Sequence, residues 1–188
     1  DETGSLLFFT NGKTVWNKSY LPMDNGNDLA GGILGGQNSI IIPNPGNSMQ
    51  YFIFTTNIYV PGYSGSKGVN YSTVDFTNNN LGTVTSKNNL LFKENSKTLC
   101  AVKHGNGSDF WVIFHGFGAN TGNKFYSFLV DTSGVVTNPV VSTTGYFQDG
   151  DINNQATYMK ASPNGRKLAN TLQPFLHLPE MEKLALLI

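Results

Sequence analysis

The sequence predicts an all-β fold, a β-propeller-like repeat of four-stranded antiparallel blades, and three observations carry that expectation. A Gly-containing turn followed by a burst of aromatic and β-branched residues recurs along the chain. It occurs as Gly4 into Leu6, Leu7, Phe8 and Phe9, as Gly46 into Tyr51, Phe52, Ile53 and Phe54, as Gly105 and Gly107 into Phe110, Trp111, Val112, Ile113 and Phe114, and as Gly165 into Leu168. Recurrence at roughly 40 to 60 residues is the mark of one supersecondary unit stacked or arrayed radially. Secondly, aromatics reach 12% and charged residues only 13%, while Gly, Asn, Ser and Thr are abundant, a usage that favours short strands joined by turns. Thirdly, an outer hairpin is matched twice: Val74-Asp75 before Gly82-Thr83-Val84-Thr85 parallels Val130-Asp131 before Gly134-Val135-Val136-Thr137.

The elements follow in chain order. A partial blade over 1–37 holds a hairpin of strands 6–10 and 13–16 across Asn11-Gly12, among the strongest short-range turn signals. A full blade over 38–97 has strands at 39–42, 51–55, 69–75 and 81–85. The next, over 98–156, has strands at 99–103, 110–115, 125–131 and 135–141, with turns at Asn106-Gly107 and Ser133-Gly134. The unbroken apolar character of its second strand predicts burial on both faces. A last partial blade, 157–170, opens with a strand at 157–161. From Thr171 the composition shifts toward Leu, Pro and Glu, so 171–188 is an atypical tail, with 179–188 expected as a short amphipathic helix carrying Pro179 in its first turn.

Two full and two partial blades cannot close a ring, and an open fan leaves a bare edge strand able to pair with other chains. A fragment completed by further chain, an assembly with another subunit, or an open arc capped by the tail is therefore expected. Opening on Asp1, without a charged and then apolar leader, suggests a removed leader or a piece of something longer.

The 188 residues suffice for a sizeable core. Twelve Lys and Arg balance twelve Asp and Glu, so nothing steers the chain toward nucleic acid. The apolar runs are strand-sized, far short of the roughly 20 residues that span a bilayer, and no membrane insertion is expected. The single cysteine, Cys100, lies between Leu99 and Ala101 and is expected to be a small buried hydrophobe. Asn17-Lys18-Ser19, Asn70-Tyr71-Ser72 and Asn106-Gly107-Ser108 match the glycosylation acceptor pattern, which arises easily in an Asn-rich chain.

Residues 3–17, from Thr3-Gly4-Ser5 to Val15-Trp16-Asn17, and 101–112, from Ala101-Val102-Lys103-His104-Gly105 to Phe110-Trp111-Val112, resemble the N-terminal β-propeller-like region of large secreted Bacteroidota proteins. Val69-Asn70-Tyr71-Ser72-Thr73-Val74-Asp75 and Lys160-Ala161-Ser162-Pro163-Asn164-Gly165-Arg166 fit the same pattern. The likeness covers about residues 1–169. It implies an exported module, secreted or at the cell surface, outer membrane-associated, within proteins linked to type IX secretion, gliding motility and adhesion. It carries over no catalytic residue.

Candidate chemistry is sparse. His104 lies in a turn and His115 ends a strand, His177 belongs to the tail, and no Cys or carboxylate joins them at ligand spacing, so polar strand-end roles are expected. Asp149-Gly150-Asp151-Ile152-Asn153 alternates oxygen donors as calcium loops do, but Asn154 stands where such a loop needs Gly and no Glu follows at the twelfth position. Gly31-Gly32 and Gly35-Gly36 lack the Lys-Ser or Lys-Thr of a phosphate loop and are expected to form a flexible connection. Gly62-Tyr63-Ser64-Gly65-Ser66 sits in a long loop rather than at a strand-to-helix elbow. Among Asp24, Asp28, Asp75, Glu94, Asp109, Asp131, Asp149 and Asp151, no catalytic pair is singled out, and the recurrence of Asp75 and Asp131 at one blade position points to turns. Trp16, Tyr20, Tyr59, Tyr63 and Phe117 are expected as exposed rings for a sugar or protein, whereas Phe52, Phe54, Trp111 and Phe114 are expected between blades.

The leading expectation is thus a non-enzymatic extracellular or cell-surface interaction and adhesion module of a larger secreted protein, meeting a protein or glycan at a loop face, without cofactor or metal. The alternatives are a polysaccharide-acting hydrolase or lyase on the same scaffold, and a purely structural spacer.

Overall fold

The computed structural model describes residues 4–32, 37–60, 62, 65–144, 146–151, 155 and 157–170. The strands are β1 (Phe8–Thr10), β2 (Val15–Asn17), β3 (Ser39–Asn44), β4 (Asn47–Thr56), β5 (Val69–Asp75), β6 (Thr83–Phe92), β7 (Asn95–Lys103), β8 (Phe110–Gly116), β9 (Lys124–Asp131), β10 (Gly134–Val135), β11 (Val140–Thr143), β12 (Met159–Ala161) and β13 (Leu168–Asn170). They form two central antiparallel sheets, ordered β3-β4-β5-β6 and β7-β8-β9-β10, with hairpins β1-β2 and β12-β13 to either side in the chain. None of the sheets closes on itself.

The two central sheets follow the strand order read from the sequence, and the differences have local causes. The fourth strand of the second sheet, expected unbroken over 135–141, is split into β10 and β11, both on β9. Pro139 sits in the gap, where a residue without an N–H cannot continue the ladder. The first hairpin does not turn on two residues: Thr10 pairs with Val15, leaving a four-residue loop. The Asn11 carboxamide oxygen there accepts from the Lys13 and Thr14 amides at 2.9 Å, so the side chain stabilises a wider turn. Leu168–Asn170 adds a strand that the sequence pattern did not offer, paired with β12. Residues 171–188, with the expected helix at 179–188, lie outside the described residues.

Alternation along the central strands sends successive side chains to opposite faces, and here both faces are covered. On β4, Phe52 and Phe54 join Ile42 and Val69 against Leu99, Val112, Phe114, Phe128 and Val130 of the next sheet. Their neighbour Ile53 turns the other way, with Val74 and Val84, onto Phe8, Val15, Met23 and Leu29 of the first hairpin and the loop after it. On the far side of the third layer, Cys100, Ile113 and Phe125 meet Met159 and Leu168 of the last hairpin. The layers thus stack in chain order, and three apolar seams separate four layers.

The β6 edge of the first central sheet is closed by the chain itself. Asp24 bridges Thr83 of β6, and the Asn25 carboxamide donates to the Val84 carbonyl at 2.7 Å. The Asn88 side chain binds the Ala30 amide and the Asp28 carbonyl, while Lys87 donates to Asn25 and Asn27. Covering an edge in this way blunts its tendency to pair with another chain. A close approach also fixes the two central layers: a Cβ on Gly46, in the β3-β4 turn, would come within 2.2 Å of the Thr132 carbonyl oxygen.

The seams predict where the chain is sensitive. Leu99, 0% exposed, should lose about 2 to 5 kcal/mol on replacement by alanine. Val140, 55% exposed on the outer edge, should change by no more than about 0.5 kcal/mol on the same replacement. Urea denaturation of the two variants checks the contrast.

Candidate functional site

Two features of the structure are candidates for contact with another molecule. One is a pocket of about 170 Å³ lined by Lys13, Gly31, Gly32, Asn57, Ile58, Lys67 and Lys97. Its floor is set by backbone. The Gly31 amide donates to the Gly12 carbonyl at 2.9 Å and that of Gly32 to the Thr56 carbonyl at 2.8 Å. A Cβ on Gly31 would stand 2.3 Å from the Gly12 oxygen, so only glycine permits the two segments to cross. This segment is held on both sides rather than being the flexible connection that the glycines suggested. Gly35 and Gly36 lie outside the described residues.

The walls come from strand ends. Asn57, directly after β4, donates to the Ala30 carbonyl at 3.0 Å and accepts from the Ile58 amide at 2.7 Å. Its own carbonyl accepts from the Asn95 carboxamide at 3.1 Å, tying the end of β4 to the start of β7. Lys97, on β7, is only 2% exposed, while Lys13 and Lys67 are exposed on the rim. The Lys97 side chain lies against Gly32, where a Cβ would find its Cε at 3.6 Å. Loss of hydration lowers the Lys97 pKa below the ordinary lysine value. Where β4 ends and β7 begins, the hydroxyls of Thr55 and Thr56 and the side-chain oxygen of Asn95 are buried without hydrogen-bond partners, a costly state for polar atoms; none of these residues lines the pocket.

The second feature is the outer face of β1-β2. Phe8 and Val15 point into the seam, so Phe9 and Trp16, a cross-strand pair, fall on the opposite face. Their rings stack at 5.2 Å and 16°, with Tyr20 tilted onto Phe9 at 5.7 Å. Tyr20 has φ 63° and is 72% exposed, and Leu21 beside it is 61% exposed. The left-handed region costs a non-glycine residue on the order of 1 to 2 kcal/mol. The Asn17 carboxamide oxygen, accepting from the amides of Ser19 at 2.9 Å and Leu21 at 3.3 Å, helps to hold the turn.

In comparisons with known proteins, no family model, curated protein or solved structure matches this chain. Function must therefore be argued from its residues.

Several sequence candidates resolve into structural roles. Asp75 accepts from the Thr77 amide at 2.6 Å and from Gln50 at 2.7 Å, and Asp131 from the amide and hydroxyl of Ser133 at 2.7 and 2.6 Å. The Thr77 and Gln50 bonds lower the first carboxyl's pKa, and the Ser133 bonds the second, as expected of turn aspartates. Cys100 is buried, which pushes its thiol up to about 12. Phe117 is a correction: it is 0% exposed, because its loop folds back through bonds from the Phe117 amide to the Glu94 carbonyl and the Thr121 hydroxyl. Trp16 and Tyr59 are half-buried, leaving Tyr20 as the fully exposed ring of that set, while Tyr63 and Ser64 lie outside the described residues.

His104 accepts the Asn106 amide at its Nδ1 in the expected turn. His115 stands at the end of β8 as expected and is buried there: it is 1% exposed, donates from Nδ1 to the Gly116 carbonyl at 2.7 Å and meets the Phe125 ring edge-on at 4.5 Å. His177, Ile152 and Asn153 lie outside the described residues. Among the described residues, no three His, Cys, Asp or Glu side chains gather as metal ligands do. Glu94 lies near Tyr59 and Tyr126, whose phenols are pushed up, first by burial and then by its charge. None of the three lines the pocket.

Lys97 and its pocket escaped the sequence reading. The signal was Asn95-Ser96-Lys97-Thr98, a polar run opening an otherwise apolar strand, and all four residues are buried.

Burial of neutral His115 makes stability depend on pH. Its pKa falls from about 6.5 in the unfolded chain to about 4, so between these values the unfolded state binds more protons and stability rises with pH. The stabilisation is complete above pH 6.5 and lost as pH falls toward 4, on the order of 3 kcal/mol in all. Urea titrations between pH 7 and pH 4.5 should show this fall, and His115→Gln should flatten it.

Proposed function

We propose that the chain is a non-enzymatic interaction and adhesion module built as an open, propeller-like arc of blades, and that it holds a glycan on the aromatic face of β1-β2. Three observations support the propeller geometry: two four-stranded meanders of the same order, layers that stack in chain order, and apolar seams on both faces of each central sheet. The resemblance of residues 1–169 to secreted Bacteroidota proteins supports export and a place at the cell surface.

The observation that carries the binding function is Tyr20. Backbone strain at an exposed, bulky aromatic is retained where the surroundings over-determine it, and such outliers concentrate at ligand clamps. Beside it, Phe9 and Trp16 supply ring surface on which the apolar face of a sugar can stack with little entropic cost. The aspartates that recur between the blades are engaged in turns, and the phenols near Glu94 are driven away from the ionised form that a base would need. Both features favour binding over catalysis.

A second reading has its own observation. Phe9 and Trp16 occupy a sheet face of the same kind as the Phe52 and Phe54 face, which the next sheet covers. A further blade, from this protein or another subunit, would bury them in the same way.

Trp16 fluorescence separates the readings. Neutral oligosaccharides titrated into the chain should shift the emission saturably, and Tyr20→Ala should weaken binding about 5- to 150-fold, equivalent to roughly 1 to 3 kcal/mol. No response to any neutral glycan, together with concentration-dependent dimerisation that Trp16→Ser abolishes, would select the protein partner instead.

A further inference from the structure

We infer that Glu94, flanked by the rings of Tyr59 and Tyr126, is a binding site for a guanidinium or ammonium group. The site is separate from the glycan platform on β1-β2, and either can fail without the other. Glu94 lies in the short turn between β6, which ends at Phe92, and β7, which begins at Asn95. That turn links the two central sheets, and its backbone is tied down. The Glu94 carbonyl accepts from the Phe117 amide at 3.0 Å and from the Thr121 hydroxyl at 2.8 Å, while the Asn95 amide donates to the Lys93 carbonyl at 2.9 Å.

The two rings reach this turn from different layers. Tyr126, on β9, stacks its ring on Phe92 at 4.3 Å and 25°, two residues before Glu94. Tyr59 follows β4, and its amide donates to the Gln155 carboxamide oxygen at 2.9 Å. A Cβ on Gly118 would stand 3.6 Å from the Tyr59 ring, so this ring lies beside the loop whose Phe117 amide holds Glu94. Stacking of the sheets, not one stretch of sequence, brings the three together.

Their chemistry calls for a cation. Among the described residues, the Glu94 carboxylate forms no hydrogen bond or ion pair, and its charge helps to keep both phenols protonated. Neutral phenols offer oxygens that accept hydrogen bonds and ring faces that attract positive charge. A half-buried carboxylate beside them is poorly screened by water, which strengthens a charge-assisted bond to an N–H donor. A planar guanidinium meets all of these groups at once, through its fork and its stacking face, and an ammonium meets them as a point charge.

Apolar surface is carried on the same loop. Thr144 donates to the Asn123 carbonyl at 3.0 Å and Gln148 to the Gly122 carbonyl at 2.8 Å, and the segment between them bears Tyr146 and Phe147, 62% and 44% exposed. The methylene stem of an arginine or lysine side chain covers such surface while its head stays at a charge.

The test follows backbone amide NMR shifts of the full chain, titrated with acetyl-arginine amide, acetyl-lysine amide and methylguanidinium. Acetyl-citrulline amide, which keeps the arginine shape without its charge, and sodium chloride of equal ionic strength serve as controls. The expected result is a saturable shift centred on Tyr59, Glu94, Gly118 and Tyr126 for the cations and none for the controls. Glu94→Gln should weaken binding by about tenfold or more, the scale of one lost charge-assisted contact. Tyr59→Leu should weaken it about 2- to 5-fold, the scale of one cation–π contact at an exposed site, and gives a second reading should the Glu94 variant fail to fold. Tighter binding of the capped amino acids than of methylguanidinium would place the cation on a polypeptide side chain, and the reverse order would make it a small free cation. No saturable shift, shifts that citrulline or sodium chloride reproduces, or binding that survives Glu94→Gln undiminished would overturn the site.

Discussion

The contact on which the rest of the structure depends is the face-to-face packing of the two central sheets, with Phe54 against Phe114 at 6.1 Å. Both rings are fully buried, and the Phe128 and Phe92 rings pack around Phe114 at 5.8 and 6.1 Å. A lone sheet buries one face well and leaves the other to water, so a chain with apolar residues on both faces must stack. Once these two sheets are joined, alternation leaves Ile53 and Ile113 looking outward on opposite sides. Each of those faces requires its own cover, and the two hairpins supply it.

Stacking also makes the two candidate features. Lys97 lies beside Gly32 only because β7 is held against the end of β4, through Asn95 and Asn57. The pocket exists at the corner where three layers meet. The aromatic face of β1-β2 lies on the side of that hairpin away from the seam, where among the described residues no further sheet covers it. One rule of packing thus accounts for a closed seam, a charged pocket and an open ring platform.

Much of the fold was legible because strands in this chain obey two local rules. β5 is bounded as expected, Val69 to Asp75, since alternation ends at an aspartate that captures the amides after it. Asp131 repeats that ending. Local rules fail where burial depends on distant partners. Phe117 sits in a Gly and Asn-rich loop and has the sequence context of a surface ring, but its loop bonds to Glu94 and the residues after it. Lys97 has a lysine's usual expectation of solvent, overridden by three layers that no single segment encodes. Tyr20 was legible as exposed from its place in a turn, though its strained backbone was not.

The central claim, that alternate residues of one strand serve different seams, is tested most directly by a pair of double-mutant cycles. Phe54→Leu with Phe114→Leu should show a coupling energy of about 0.5 to 1.5 kcal/mol, the scale for an aromatic pair in contact. Ile53→Val with Phe114→Leu should be additive within about 0.5 kcal/mol, because Ile53 belongs to the seam on the other side of its sheet. Additivity at Phe54 and Phe114, or equal coupling in both cycles, would contradict the stacked arrangement.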